Sequence, residues 1–176
     1  MIFFRFIKVI LFCIILTSCT SVKITEYQAE TPQLTLEDYL NGTIDAYGIF
    51  QDRSGKVIKR FECVITATWN NNIGTLDEKF KYSDGTTSQR IWTITKISAN
   101  NYTGTATDVE GTAKGTSSGN AFQWQYDLKL NVDGTDYIVS FDDWMFLMNN
   151  KIMINQSKMS KWGFYLGTVS LTFIKR

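Results

Sequence analysis

The chain holds 176 residues, 44% hydrophobic and 20% charged, with 18 Lys+Arg against 17 Asp+Glu and no histidine. The missing imidazole excludes Ser-His-Asp and Cys-His nucleophiles, histidine acid–base work, His-zinc sites, the two-His-one-carboxylate iron triad and His-ligated haem; carboxylate, tyrosine and lysine chemistry remains. No basic stripe appears, so nucleic acid is not an expected partner, and the length suits one domain with a real core.

The first element reads as an address. Arg5 and Lys8 precede the apolar run Val9–Leu16, a charged n-region before a short h-region. That run is shorter than the roughly 20 residues a spanning helix needs. It ends in Leu16-Thr17-Ser18-Cys19, and small residues before a cysteine resemble the lipobox of bacterial lipoproteins. The resemblance implies removal of residues 1–18, lipidation of Cys19, and a membrane as partner through that residue. Two or three acyl chains anchor firmly where one holds marginally. Thr20 stands where a retention aspartate would, which favours the outer membrane facing the periplasm. Cleavage would take Arg5, Lys8 and Cys13 away, lowering the formal charge of +1 by two. With Cys19 capped, Cys63 is the remaining thiol, so no disulfide is expected. Phe61 and Ile65 share its strand face, and it reads as a small buried apolar residue.

Residues 19–35 lack a period and contain Pro32, the single proline. They read as the lipidated N-terminus and a tether of at most about 50–60 Å. Leu36–Gly42 suits one helical turn, with Thr35 as N-cap and Gly42 as stop. Residues 36–176 then form the β domain. Aromatics at 14%, with abundant threonine, asparagine and glycine, favour strands and tight turns. Strands are expected at 43–50, 56–69, 75–82, 87–98, 102–107, 111–116, 121–131, 135–141, 152–156 and 164–174. Glycines in the fifth and sixth predict bends or bulges. About ten strands in sequential hairpins predict an all-β, antiparallel up-and-down β-barrel of the lipocalin or fatty-acid-binding-protein kind, since closure removes exposed edges. A two-sheet sandwich is the alternative.

A three-residue loop Ser83-Asp84-Gly85 with Gly85 left-handed would face Tyr82 with Thr86, Glu78 with Arg90 and Leu76 with Trp92. A two-residue turn would instead pair Glu78 with Ile91. In the favoured register an arginine and a carboxylate point the same way as the apolar row. They would specify register as an internal ion pair, or Arg90 or Arg60 would receive a ligand carboxylate in a forked contact. Asp142-Asp143-Trp144 is the sharpest polar cluster. It reads first as a strand-end turn with Trp144 plugging the barrel, and second as part of a carboxylate pair with Asp108 or Glu78. Trp69, Trp92, Trp124 and Phe141 are expected inside. The candidate ligand-binding residues are therefore Arg60, Glu78, Arg90, Trp92, Trp124 and Asp142. Asp108–Gly111 and Asp133–Asp136 lack the spacing of an EF-hand loop, so no metal or other cofactor is expected.

Six segments together resemble a family of bacterial lipoproteins catalogued as domain of unknown function 3833. They are Asp52-Arg53-x-Gly55-x-Val57-x-x-Arg60-Phe61, Tyr82-x-Asp84-Gly85, Gln89-Arg90-x-Trp92, Gly104-x-Ala106-x-Asp108-Val109-x-Gly111-x-Ala113-x-Gly115, Phe141-Asp142-Asp143-Trp144-Met145 and Met159-Ser160-Lys161-x-Gly163. The resemblance implies an anchored, periplasm-facing domain of about this length, and no reaction. The leading expectation is a lipid-anchored module binding a hydrophobic ligand, plausibly fatty acyl or lipid-derived. The alternative is a structural or accessory envelope lipoprotein with a filled core and a protein partner. A carboxylate enzyme ranks third.

Overall fold

The computed structural model describes residues 21–132 and 134–176. The segment expected to be a signal peptide, Cys13, the expected lipidation residue Cys19 and the turn residue Asp133 lie outside the described residues.

After one helical turn, α1 (Leu36–Tyr39), the chain forms ten strands. These are β1 (Gly42–Asp52), β2 (Val57–Asn70), β3 (Ile73–Tyr82), β4 (Thr87–Lys96), β5 (Asn101–Thr105), β6 (Val109–Ser118), β7 (Ala121–Val132), β8 (Thr135–Leu147), β9 (Ile152–Lys161) and β10 (Phe164–Lys175). Each pairs antiparallel with the next, and β10 returns to β1 from Ile44↔Lys175 to Asp52↔Gly167, closing the barrel. Closure rules out the sandwich. The segment from Asp142 to Leu147 continues β8 instead of turning away.

The alternation that predicted the strands has a direct physical outcome. In β2, Phe61, Cys63, Ile65 and Ala67 are buried, while Glu62, Val64, Thr66 and Thr68 face out. A period of two sends successive side chains to opposite faces. The β3–β4 register is the favoured one, with Glu78 opposite Arg90 and Leu76 opposite Trp92. Gly85 at φ 84 supplies the left-handed residue of that loop, and the Tyr82 N–H donates to the Thr86 carbonyl at 2.9 Å.

The expected bulge occurs, and two other glycines serve a purpose the pattern did not predict. The β6–β7 register shifts between Glu110 and Lys114, where Gly111 has φ 69, marking a bulge. Gly104 and Gly115 face inward instead, and a Cβ on either would overlap the Trp124 ring. They make room for a large aromatic in a narrow barrel.

α1 seals one end. Leu36, Tyr39 and Leu40 are buried. The Tyr39 hydroxyl lies 3.0 Å from the Lys151 carbonyl oxygen, and the Trp69 indole N–H donates to the Leu40 carbonyl at 2.6 Å. Glu37 pairs with Lys96 and accepts from the Tyr102 hydroxyl at 2.8 Å.

The segment read as an extended tether is packed from Ile24 onward. Ile24–Tyr27 forms a 3-10 turn, and the Tyr27 ring lies 5.9 Å from Trp144 and 5.3 Å from Phe146 on the outside of β8. Leu34 is buried, and its N–H donates to the Gly119 carbonyl at 2.8 Å. The segment shows no period because its apolar residues are spaced by turns. Trp144, expected as an internal plug, is part of this external seam.

Gly119 sits at φ 56, and a Cβ there would overlap the Tyr27 carbonyl oxygen. Gly119→Ala is therefore expected to cost about 1–3 kcal/mol through strain and overpacking. Urea unfolding would measure the loss, and hydrogen exchange would show the Leu34 amide losing protection; unchanged protection would contradict this docking.

Candidate functional site

Closure leaves a cavity of ≈ 190 Å³ inside the barrel. Its wall is mainly apolar, with Ile65, Leu76, Trp92, Ile94, Trp124 and Phe141 among the lining residues. Trp92 packs edge-on against Trp124 at 5.6 Å and against Tyr126 at 5.3 Å, and Tyr126 stacks on Phe141 at 5.1 Å. At the end opposite α1, Phe50, Phe61, Phe80 and Tyr82 stand between cavity and solvent. Engineered apolar cavities of about 150 Å³ admit benzene, whereas drug-sized ligands occupy about 300–1,000 Å³. The interior as it stands suits a small ring or a short acyl segment.

One polar belt crosses this wall halfway along the strands. Arg90 Nε donates to both Asp108 carboxylate oxygens, at 3.1 and 2.8 Å. Its Nη1 lies 3.8 Å from Glu78 Oε2, an ion pair too long for a hydrogen bond. Across the cavity Asp143 accepts from the Tyr126 hydroxyl at 3.2 Å and from the Ser157 hydroxyl. Among the described residues Glu78 Oε2 is buried without a hydrogen-bond partner.

The belt shifts its own titration. Burial raises the Glu78 carboxyl to about 7, opposed by Arg90 and reinforced by Asp108 and Asp143. Burial raises Asp143 to about 6 against the hydrogen bonds from Ser157 and Tyr126. Burial also pushes the Tyr126 hydroxyl well above its usual range, with Asp143 adding to the effect. Arg90 loses solvation, but Glu78, Tyr126 and Asp108 more than restore its hold on the proton. Burial likewise pushes the Cys63 thiol up, as suits an inert packed cysteine.

Of the six candidate residues, four line the cavity together: Glu78, Arg90, Trp92 and Trp124. Two do not. Arg60 is exposed on the outer face, because its neighbour Phe61 takes the inward position of β2. Asp142 also faces outward, accepting from Gln123 at 2.6 Å, Gln125 at 3.1 Å and the Trp144 indole at 3.3 Å. The inward carboxylate is Asp143, in phase with Val139 and Phe141 along β8. That phase was readable from the sequence. Tyr126 and Ser157 carried no comparable signal, since a tyrosine in an aromatic row and a serine in a strand suggest packing. Among the described residues no three His, Cys, Asp or Glu side chains gather closely enough to hold a metal ion.

Glu78 has a consequence for stability. Well below pH 4.5 the Glu78 carboxyl is protonated in folded and unfolded chains alike. Between 4.5 and about 7 the folded chain keeps a proton that the unfolded chain releases, so stability falls as pH rises; above about 7 the loss is complete. Asp143 acts in the same direction. Glu78→Gln should therefore be more stable than wild type at pH 8, by on the order of 2 kcal/mol, with the gain fading toward pH 4.5. Urea midpoints across this range would check it, and a wild-type protein that gains stability from pH 5 to 8 would contradict it.

No curated protein sequence matches the chain. Among solved structures, the barrel is similar to an S-type phycobiliprotein lyase from Guillardia theta, with TM-score 0.56 and 7% identity over 77% of this chain and 88% of that one. It is also similar to a protein of unknown function from the DUF3598 family of Nostoc punctiforme, with TM-score 0.57 and 13% identity over 84% of this chain and 51% of that one. A de novo designed fluorescence-activating β-barrel gives TM-score 0.45 and 14% identity over 81% of this chain and 99% of that one. At such low identities the likeness is one of fold, a lipocalin-like barrel. The model of a family described as protein of unknown function (DUF3833) matches residues 13–175, and the chain belongs to that family.

Proposed function

We propose that this protein is a lipid-anchored envelope protein, acylated at Cys19 and facing the periplasm from the outer membrane, whose barrel holds a hydrophobic or lipid-derived ligand. The observation that carries the ligand is the cavity of ≈ 190 Å³, apolar over most of its wall and bearing a single polar belt. A filled core would leave no such space, since protein interiors normally pack to crystal-like density. The cavity size sets the class: a short chain or ring enters directly, and a longer chain would have to pass the mouth rings. In this reading the anchor lies near the closed end. Ile24–Tyr27 packs on β6 and β7 beside the Gly119 turn, and the few residues back to Cys19 reach only about 15 Å.

Protein purified from its native membrane should release a lipid or lipid-like molecule into organic solvent, seen by mass spectrometry at near one molecule per chain. An empty extract would remove the ligand. Cys19→Ala should abolish acyl labelling and membrane retention; labelling that persists would remove the anchor.

One observation favours the accessory reading with a protein partner. The β9–β10 turn is two residues, Trp162 and Gly163, with φ 51 and φ 81. Type I′ turns prefer Asn-Gly at such positions, and a bulky residue there is strained. Trp162 is nonetheless 87% exposed, beside Phe164 at 74%. Exposed aromatics retained against strain suit an interaction surface. Trp162→Asn should keep or raise stability while eliminating any crosslinked partner in cells; an unchanged crosslinking pattern would count against the tip.

A further inference from the structure

One of the two readings of the inward arginine has it receiving a ligand carboxylate. The cavity argues for the opposite polarity. Its charged lining residues are Glu78, Arg90 and Asp143, so carboxylates outnumber the guanidinium. Arg90 is partly engaged: its Nε is held by both oxygens of Asp108. A ligand carboxylate could reach only its Nη groups, and would bring further negative charge beside Glu78 and Asp143.

Counting donors and acceptors points the same way. Asp143 has a donor on each oxygen, Tyr126 on Oδ2 and Ser157 on Oδ1. Glu78 Oε2 has none, although it is buried on the cavity wall and Arg90 Nη1 stands 3.8 Å away. Buried polar atoms are normally paired, so an unmatched acceptor calls for a donor. No third His, Cys, Asp or Glu side chain among the described residues joins to cage a metal ion there. The second carboxylate on the same wall, Asp143, favours a donor that carries positive charge.

Resting on the reading of the barrel as a ligand-binding module, we infer that the ligand's polar end is a hydrogen-bond donor of the amine class. It is received by Glu78 Oε2, with its apolar part against Trp92 and Trp124. The groups facing Glu78 are Arg90 from β4, Asp108 from the β5–β6 turn, Tyr126 from β7, Asp143 from β8 and Cys63 from β2. Of these, Arg90 opposes an incoming cation, and the two aspartates favour it.

The test titrates the full chain in nanodiscs with hexylamine, hexanol and hexanoate, by calorimetry. These probes share one tail and differ in headgroup. Hexylamine should bind about tenfold or more tighter than hexanoate, a difference of about 1.4 kcal/mol or more. Its affinity should rise from pH 6 to 8, as Glu78 ionises. Glu78→Gln should erase the amine's advantage over hexanoate and its pH dependence. Hexanoate binding as tightly as hexylamine would overturn this inference and leave the ligand-binding reading standing. So would an amine preference that survives in Glu78→Gln. Failure of all three probes would overturn both.

Discussion

The pairing of β10 with β1 is the constraint on which the remaining structure depends. An open ten-strand meander would expose two edges, and each strand could slip or pair elsewhere. Once the ring closes, every inward position on every strand joins one interior of fixed girth. Large side chains then fit only where a neighbour gives way. Phe61 lies over Gly48, Trp69 over Gly74, and Trp124 over Gly104 and Gly115; a Cβ on any of these glycines would overlap the ring. The aromatic content and the inward glycines are thus two halves of one packing solution. Each aromatic buries a large apolar area, and each glycine lets it lie flat on the backbone.

The same closure brings charges inside. Glu78, Arg90 and Asp143 occupy inward positions of β3, β4 and β8, where alternation alone would place apolar residues. Buried ion pairs are a weak source of stability, and apolar replacements of similar volume are often neutral or better. Specifying register is the usual alternative explanation. Here the β3–β4 register is already set by the Gly85 turn and by apolar alternation on both strands. The belt is therefore redundant for register, and it sits where the interior is incompletely filled. That combination is what the proposed ligand site rests on, since a fold-specifying core needs neither the redundancy nor the space.

Much of the architecture was legible because it follows from period and turn chemistry. Strand number, closure, the β3–β4 register, the helical turn and the burial of Cys63 all come from short-range patterns. The site was half legible. Glu78, Arg90, Trp92 and Trp124 were reachable by counting from one glycine turn. Arg60 and Asp142 were misplaced because chemical prominence was weighed above strand phase: each adjoins an inward residue, Phe61 or Asp143, and so must point out. Asp108 reaches Arg90 from a turn, and Ser157 reaches Asp143 from the neighbouring strand. Such contacts depend on how the closed sheet coils, which no local pattern encodes. The packing of residues 24–34 was hidden for a related reason, since its docking surface is assembled from Gly119, Trp144 and Phe146.

The two ends of the barrel are not equivalent, and this bears on how any ligand moves. At one end the α1 segment is tied to three separate parts of the sheet, through Tyr39 to the β9–β10 side, Trp69 to β2, and Glu37 to β4 and β5. Opening it would break these half-buried polar contacts together with the packing of Leu36 and Leu40. At the other end the barrier is a group of rings, of which Phe50, Phe80 and Tyr82 are only half-buried. Ring rotation there costs packing and leaves few hydrogen bonds broken, so exchange belongs at that mouth. Trp162 and Phe164 project from a turn on the same end of the strands. The half-buried ring barrier and the exposed β9–β10 tip thus lie together, at the end of the barrel that costs least to open.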